Sequence, residues 1–239
     1  MYDVLEIIKS EVFNFEMTGI ELPGSAKENL CVRAYEMMKK EFHLPPVSMY
    51  LLKNIPAGSG TGGGSSDAAN TILLLNRIFD LKLSEQQCAD RAQMLGSDCA
   101  FFIYNKPMFA SGRGEILEEV ELDMQRNKLL IAFPGISVST PWAYSQILPK
   151  QPEENLKNLI QLPKSEWKTE IKNDFEEIVF KRYQAIGDLK DSMYSNDAWY
   201  AGMTGSGSSV FGLFDLKTDL TELKQKLNSQ NIKCFETIL

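Results

Sequence analysis

Residues 55–67 read Ile-Pro-Ala-Gly-Ser-Gly-Thr-Gly-Gly-Gly-Ser-Ser-Asp, and this Gly-rich loop is the most informative stretch of the chain. It follows an apolar, β-prone run at 47–53 and precedes an apolar helical pattern at 67–79. Its five glycines within 58–64 permit positive φ angles and a close approach of the backbone to a ligand. Free N–H groups at a helix start, together with the helix dipole, favour an anion such as a phosphate.

Other Gly-rich motifs fit this stretch less well. It is not a Walker A loop, because no Gly-Lys-Ser/Thr follows. It is not a dinucleotide fingerprint either, because no acidic residue ends a second strand at the expected distance. A flexible linker is the remaining alternative, but linkers are seldom enclosed by an apolar strand and an apolar helix. We therefore interpret it as a phosphate-binding loop, in which Ser65 or Ser66 could also reach Mg²⁺.

Composition limits the classes of function. The chain has 239 residues, 44% hydrophobic and 24% charged, as expected for a globular protein of one large or two small domains. The net charge of −7 argues against a nucleic-acid or anionic-membrane partner. The four cysteines form no CxxC pair and there is one histidine, so no zinc pattern is present. These thiols are typical of a reducing cytoplasm.

No segment suggests a membrane or a secretory destination. The sequence has no apolar run of the roughly 18 residues that a membrane-spanning helix needs. The first residues, Met1–Glu6, lack the basic and apolar regions of a signal peptide. We therefore expect a cytoplasmic protein that acts on a small molecule.

Local patterns predict an alternation of strands and helices. In the first half they predict strands at 2–8, 47–53, 99–103 and 107–109, and helices opened by Ser25–Glu28, at 67–79 and opened by Ser84–Gln87. In the second half they predict strands at 128–133, 199–203, 210–215 and 232–237, and helices at 141–148, 173–179, 182–194 and 218–227. The second series is similar to a ferredoxin-like layout. Residues 148–164, rich in Pro, Asn and Lys, are predicted to be a loop.

Four segments, in order, resemble the motifs of the GHMP kinases. Pro56–Ala69 resembles their phosphate loop, and Gly96–Phe102 resembles the segment with their catalytic aspartate. Gly112–Glu115 resembles their Gly-x-Gly-Glu turn, and Gly202–Phe211 resembles their second glycine turn. Four such matches in one chain make coincidence a poor explanation.

The resemblance implies a fold. It predicts the α+β, two-domain GHMP kinase fold, with ATP and the acceptor bound between the domains. Residues 1–122 would form an N-terminal ATP-binding domain, ribosomal-protein-S5-like and truncated at its start. Residues 123–239 would form a ferredoxin-like C-terminal domain. The oligomeric state stays open between monomer and homodimer.

The resemblance also implies which residues bind the nucleotide. The triphosphate would be wrapped by Pro56, Ala57, Gly58, Ser59, Gly60, Thr61, Gly62, Gly63, Gly64, Ser65 and Ser66. Gly205 and Ser206 would close over the phosphates from the second glycine turn. Lys53 and Asn29 match positions that line the nucleotide side. ATP and Mg²⁺ are the expected cofactors, since glycine turns and Mg²⁺ together neutralise a γ-phosphate.

On the acceptor side, Asp98 would contact the substrate and act as the general base that takes a proton from its hydroxyl. Thr140 and Tyr144 match acceptor-side positions, with Tyr144 stacked on a cytosine ring. Three glycines followed by Ser-Ser-Asp-Ala-Ala are most similar to members that phosphorylate the 2-hydroxyl of 4-diphosphocytidyl-2-C-methyl-D-erythritol in non-mevalonate isoprenoid synthesis. Asp67 is interpreted as a first-turn aspartate of a helix, and no metal ligand is predicted.

The chain also departs from the family pattern at its start. Members of the family normally carry Ala-Lys-Ile-Asn-Leu and then Asp-Gly-Tyr-His in a segment that is absent here, and the resemblance implies that this segment is roughly 35 residues long. The resemblance therefore predicts an exposed sheet edge, weak nucleotide binding and slow or absent turnover. Two alternatives stay open: another GHMP small-molecule kinase, or a catalytically impaired nucleotide-binding fragment.

Overall fold

The structure is a computed structural model that describes residues 2–21, 25–148 and 154–239. The chain folds into two compact units. The first unit contains the residues up to Ala57 together with Gly62–Glu121. The second contains Leu122–Leu239 and also Gly58–Thr61, so the tip of the Gly-rich loop groups with the second unit. The sequence had suggested a single division after residue 122.

The first unit is built around a three-stranded sheet. Strands β1 (Val4–Lys9), β2 (Asn14–Gly19) and β3 (Val47–Lys53) lie in the order β1-β3-β2. β1 is antiparallel to β3, whereas β2 is parallel to it. Parallel neighbours require a crossover, which here contains helix α1 (Leu30–Phe42). Among the described residues, β1 and β2 form the two edges of this sheet.

Alternating side chains give the sheet one buried face. Val47, Met49 and Leu51 of β3 are buried, while the intervening Tyr50 and Leu52 are exposed. α1 and helix α2 (Gly63–Ile78) supply the other side of this core. Its fully buried members include Cys31, Ala34, Tyr35, Met38, Val47, Met49, Ala68, Ala69, Ile72 and Leu75. This packing fixes α2, and with it the end of the Gly-rich loop.

The remainder of this unit corrects one prediction. Helices α3 (Glu85–Gln93) and α4 (Phe101–Tyr104) are followed by a hairpin of β4 (Met108–Ser111) and β5 (Ile116–Glu119). The predicted strand at 99–103 is wrong, since most of it forms α4. A short apolar run does not distinguish a strand from a buried helical turn, and α4 packs against α2.

Two helix starts also differ from prediction. α2 begins at Gly63, four residues before the predicted start at Asp67, so Asp67 is not a first-turn residue. The box at Ser25 opens a short 3-10 turn, Ala26–Glu28, rather than a long helix. α1 is capped instead by Asn29, whose side-chain oxygen accepts a hydrogen bond from the Cys31 amide at 2.9 Å. A second cap thus follows the first within one turn.

The second unit is a sheet covered by helices. Its strands are β6 (Asn127–Phe133), β7 (Tyr200–Met203), β8 (Val210–Asp215) and β9 (Lys233–Ile238). Its helices are α5 (Thr140–Gln146), α6 (Leu156–Leu159), α7 (Lys164–Glu170), α8 (Glu176–Arg182), α9 (Gln184–Tyr194) and α10 (Thr221–Ser229). The strand order β7-β8-β6-β9, antiparallel throughout, is the ferredoxin-like arrangement that the sequence predicted.

Three local predictions in this unit need correction. α10 begins at Thr221, three residues after the predicted start at Thr218. α8 begins at Glu176, which leaves Asn173 in the preceding turn. The predicted loop at 148–164 contains α6, and its residues 149–153 lie outside the described residues. None of the helices in the described part of the chain is long and apolar enough to span a membrane.

Candidate active site

The Gly-rich loop ends in the first turn of α2. Gly62 caps this helix with a φ of 71°, and its carbonyl accepts the first helical hydrogen bond from the Ser66 amide at 2.9 Å. The amides of Gly63, Gly64 and Ser65 therefore have no intrahelical acceptor. A Cβ on Gly62 would lie 2.6 Å from the Phe102 ring, so only glycine fits. These amides and the helix dipole make a site for an anion.

The tip of the loop packs against the second glycine turn, Thr204–Ser209, inside the second unit. The Ser59 carbonyl accepts hydrogen bonds from the Ser209 amide at 3.0 Å and the Thr204 hydroxyl at 3.1 Å. Gly60 has a φ of 77°, and a Cβ there would lie 2.3 Å from the Thr204 carbonyl oxygen. The two turns therefore meet at a distance that only glycine allows at position 60.

The second glycine turn is closed by its own hydrogen bonds. The Thr204 amide donates to the Ser209 carbonyl, and the Gly207 amide donates to the Thr204 carbonyl, both at 2.9 Å. The buried Ser206 hydroxyl lies 2.9 Å from the hydroxyl of Thr140. Thr140 and Ser206, predicted on the acceptor and nucleotide sides, are thus direct neighbours.

Two polar side chains hold the second glycine turn from the α8 side. The Asn173 side-chain amide donates to the carbonyls of Met203 and Gly205, both at 2.8 Å. The buried Glu176 carboxylate accepts from the Met203 amide at 2.8 Å and from Lys190 at 2.5 Å. Sequence reasoning missed both residues, because this segment was interpreted only as the start of a helix.

A buried ion cluster lies beneath the start of the Gly-rich loop. The Lys53 ammonium, 2% exposed, contacts the carboxylates of Asp3 and, at 2.7 Å, Asp67. The second oxygen of Asp3 accepts from the amides of Asn54 at 2.6 Å and Ile55 at 2.8 Å. Lys53 was predicted to line the nucleotide, but its ammonium is directed to these two carboxylates. Asp3 was not singled out in the sequence.

The pKa shifts in this cluster follow from burial and charge. Burial raises the pKa of Asp67 to about 6, against the hydrogen bond from Lys53 that lowers it. Burial alone would lower the pKa of Lys53, but its hydrogen bonds to Asp3 and Asp67 outweigh burial, and the pKa lies above its ordinary value. One ammonium thus serves two carboxylates and remains charged at neutral pH.

A cleft of about 360 Å³ opens beside the first turn of α2. Its apolar lining is formed by Phe15, Met17 and Leu30. Asn29, Ala57 and Gly64, all predicted to bind the nucleotide, also line it. Ser25, Glu28 and Asp67 add polar groups to the lining. A largely apolar cleft with a few polar groups, next to a helix N-terminus, suits a flat heterocyclic base whose phosphates lie at the helix.

Asp98 lies beside the Gly112–Glu115 turn, so two of the predicted motifs are neighbours. Asp98 is exposed and accepts a hydrogen bond from the Ser97 hydroxyl at 3.0 Å. A Cβ on Gly114 would lie 3.5 Å from an Asp98 carboxylate oxygen. The turn has positive φ angles at Gly112 and Gly114 and is closed by the Glu115 carboxylate, which accepts from the Arg113 amide. An accessible carboxylate in a small-residue setting is suited to meet a substrate hydroxyl.

Tyr144 lies on α5 with most of its side chain accessible. It is 62% exposed, and its ring meets Phe175 edge-on at 4.9 Å between centroids. Its exposure leaves the ring accessible to a ligand.

The described residues contain no group of three or more His, Cys, Asp or Glu side chains that could hold a metal ion. Mg²⁺ in phosphoryl-transfer sites is often held by substrate phosphates and water with few protein ligands. The hydroxyls of Ser65 and Ser66, in the first turn of α2, are compatible with that mode.

The chain is similar to two family models and to named proteins of other organisms. The description "GHMP kinases N terminal domain" matches residues 29–106, and "GHMP kinases C terminal" matches residues 154–233. A protein of Bacteroides fragilis named 4-diphosphocytidyl-2-C-methyl-D-erythritol kinase is 45% identical over 99% of this chain and 86% of its own length. The protein of that name from Bacteroides thetaiotaomicron is 44% identical over 98% of this chain and 86% of its own length.

Solved structures give the same fold. A crystal structure of 4-(cytidine 5'-diphospho)-2C-methyl-D-erythritol kinase superposes with a TM-score of 0.81 and 25% identity, covering 98% of this chain and 84% of that one. The crystal structure of homoserine kinase from Cytophaga hutchinsonii superposes with a TM-score of 0.76, covering 99% of this chain and 85% of that one. The two sequences are 18% identical, so this similarity concerns the fold alone. The two-domain fold predicted from the sequence is confirmed, and the chain belongs to the GHMP kinase family.

Proposed function

We propose that this protein transfers the γ-phosphoryl group of ATP to the 2-hydroxyl of 4-diphosphocytidyl-2-C-methyl-D-erythritol, giving ADP and the 2-phosphate. The choice of acceptor is supported by relatives of 44–45% identity that carry the name of that kinase. Glycine turns supply the chemistry, because phosphoryl transfer depends on positioning and charge neutralisation more than on covalent help.

The observation that carries the proposal is the meeting of the two glycine turns at Ser59 and Gly60. Ser59 receives two hydrogen bonds from the second turn, and Gly60 touches the Thr204 carbonyl. The free amides at the start of α2 would supply N–H donors to the triphosphate, and the contact with the second turn would fix the tip of the Gly-rich loop. We propose that the base lies in the cleft lined by Asn29 and that the phosphates run from there along residues 56–66.

Asp98 would accept the proton of the acceptor hydroxyl as it attacks the γ-phosphorus. Its exposure and its place beside Gly114 leave room for a hydroxyl within hydrogen-bonding distance. Thr140 would donate to the acceptor, and Tyr144 would stack on the cytosine ring. Mg²⁺ bound to the nucleotide would neutralise the charge on its β- and γ-phosphates, near the hydroxyls of Ser65 and Ser66.

The test is acceptor-dependent ADP release by the 239-residue chain with Mg-ATP, at enzyme concentrations high enough to detect slow turnover. We expect release with 4-diphosphocytidyl-2-C-methyl-D-erythritol and not with homoserine or mevalonate. Asp98→Asn should lower kcat by about 10²–10⁴-fold, the range for loss of a general base. Asp90→Asn, a change at an exposed aspartate of α3, is the matched control and should leave kcat unchanged.

Three results would overturn the proposal. ADP release that is equal for all acceptors would refute the choice of substrate. Full activity in Asp98→Asn would refute the assignment of the base. No release with any acceptor would refute the kinase reaction for this chain and would support the alternative of a catalytically impaired nucleotide-binding fragment.

A further inference from the structure

The two ends of the Gly-rich loop converge on one buried side chain. Asn54 and Ile55, where the loop begins, donate their amides to one oxygen of Asp3. The other oxygen of Asp3 contacts the Lys53 ammonium. The same ammonium donates to Asp67, directly after the last residues of the loop, at 2.7 Å. Loop entry and loop exit are therefore joined through Lys53.

This ion triad is a costly way to stabilise a fold. It contains two carboxylates and one ammonium, all nearly inaccessible to solvent, and its net charge is −1 with all three ionised. The ammonium also lies under the first turn of α2, because a Cβ on Gly63 would be 3.3 Å from it. That end of a helix repels a cation. Buried ion groups often add little net stability relative to apolar replacements, which favours a role of this triad in fixing local geometry.

We propose that Lys53 is a positioning residue that sets the shape of the phosphate-binding loop, and that it does not contact ATP itself. The inference rests on the proposed ATP-dependent function. A loop fixed at both ends keeps its amides aimed at one point before the anion arrives. Binding then does not have to order the loop, and this lowers the free-energy cost of association. Weakening the triad should therefore reduce affinity for ATP more than it reduces the rate of the bound complex.

Two substitutions at one position separate this role from general stability. Asp67→Ala removes the acceptor at the loop exit, whereas Asp67→Asn keeps an oxygen that Lys53 can reach. We expect Asp67→Ala to raise the Kd and KM for ATP roughly tenfold, the scale of ordering one or two side chains or a short loop. Asp67→Asn should rescue most of that loss, and kcat at saturating ATP should change less than KM in both.

The measurements are a titration of a fluorescent ATP analogue and hydrogen exchange, both without acceptor, followed by steady-state kinetics. In Asp67→Ala, amides of residues 54–66 should exchange faster, while those of α9 should not change. Ile72→Val is the matched control, because Ile72 is fully buried on the same helix and its side chain is apolar. Its binding and exchange should match the unsubstituted chain.

Wild-type affinity and loop exchange in a folded Asp67→Ala chain would overturn the inference. Equal impairment in Asp67→Asn and Asp67→Ala would overturn it too, because the surviving hydrogen bond would then have no effect. If Asp67→Ala does not fold, the triple variant Asp3→Asn/Lys53→Met/Asp67→Leu removes all three charges of the triad at once, which proteins tolerate better than the loss of one partner. The amide oxygen at position 3 can still accept from the Asn54 and Ile55 amides. This triple variant must also bind ATP more weakly, and unchanged affinity would contradict the role of Lys53.

The assay separates the inference from the proposed function. Nucleotide binding and exchange report on the loop with no acceptor present. A chain that binds ATP through an intact triad but releases no ADP refutes the kinase reaction and supports the triad. A chain that turns over normally with Asp67→Ala refutes the triad and supports the reaction.

Discussion

The two glycine turns are held by different combinations of ion pairs and neutral hydrogen bonds. The ends of the Gly-rich loop are joined by full charges, the Lys53 ammonium between Asp3 and Asp67. The second turn is held by a neutral amide, Asn173, which donates to two carbonyls, and by the Glu176 carboxylate, which accepts from the Met203 amide and is paired with Lys190. The ion cluster depends on the protonation state of its carboxylates and therefore on pH. The Asn173 amide does not titrate, so its hydrogen bonds do not change with pH. Two different sets of side chains thus hold the two turns in the orientation that ligand binding needs.

The largest effect is expected where the two turns touch. Gly60→Ala forces a Cβ to 2.3 Å from the Thr204 carbonyl at a φ of 77°, so both turns must shift. We expect a loss of about 2–4 kcal/mol in unfolding free energy, from overpacking and left-handed strain together. The Kd for ATP should rise about a hundredfold, equivalent to about 2.8 kcal/mol. Chemical denaturation and nucleotide titration measure the two quantities.

Gly135→Ala is the control for that prediction. Gly135 has a similar φ of 72°, but no atom lies within 4 Å of a Cβ built there. It should therefore show only the conformational cost of about 1–2 kcal/mol, with unchanged affinity for ATP. Equal affinity losses in the two variants would mean that backbone strain, rather than contact between the turns, matters at Gly60.

A smaller effect is expected from the amide that holds the second turn. Asn173→Asp replaces a double donor with a carboxylate that faces the carbonyls of Met203 and Gly205. We expect the KM for ATP to rise about tenfold, since each lost or reversed hydrogen bond costs on the order of 1–2 kcal/mol. Asn196→Asp, which changes a half-buried amide bonded to Ser192, should leave KM unaltered. A normal KM in Asn173→Asp would show that Asn173 does not hold the second turn in the shape that ATP binding needs.

The smallest effect is the pH dependence of the unfolding free energy that Asp67, in the Lys53 ion cluster, should cause. The pKa of Asp67 is raised to about 6 by burial, above its unfolded value of about 4, so the folded chain holds this proton more tightly. This contribution to unfolding free energy is present below pH 4 and is lost as pH rises to about 6, by about 1–3 kcal/mol. Asp67→Asn lacks it, so the variant should gain stability relative to the parent over that window.

Urea denaturation at half-unit steps from pH 4 to pH 8 measures this difference. Ile72→Val, an uncharged change on the same helix, should differ from the parent by a constant amount across the range. A difference between Asp67→Asn and the parent that is also constant would show that Asp67 keeps its ordinary affinity for protons.

The parts of the site that depend on local sequence could be predicted. Glycine at 58, 60 and 62 marks positive φ angles, and apolar alternation at 47–53 marks β3. The start of α2 could not be predicted, because Gly63–Ser66 has weak helix propensity and becomes helical through packing against neighbours such as Ile55. Where the local helix propensity was weak, tertiary packing determined where the helix begins.

The supports of the site could not be predicted because they join distant residues. Asp3 and Lys53 are 50 residues apart, and Asn173 meets carbonyls 30 and 32 residues along the chain. A charged residue in a strand pattern, such as Lys53, indicates an exposed edge or a ligand, and nothing local indicates a buried partner. Ser97–Asp98 and the Gly112–Glu115 turn were found separately, and the fold makes them neighbours.

The most direct test of the central claim is to identify the phosphorylated product. The chain is incubated with Mg-ATP and 4-diphosphocytidyl-2-C-methyl-D-erythritol, and phosphorus NMR follows both compounds. We predict a new phosphomonoester resonance that grows with ADP and is lost in Asp98→Asn. This resonance should be coupled to no proton, because the 2-carbon carries none. ATP consumption without that resonance, or the same resonance at full rate in Asp98→Asn, would contradict this prediction.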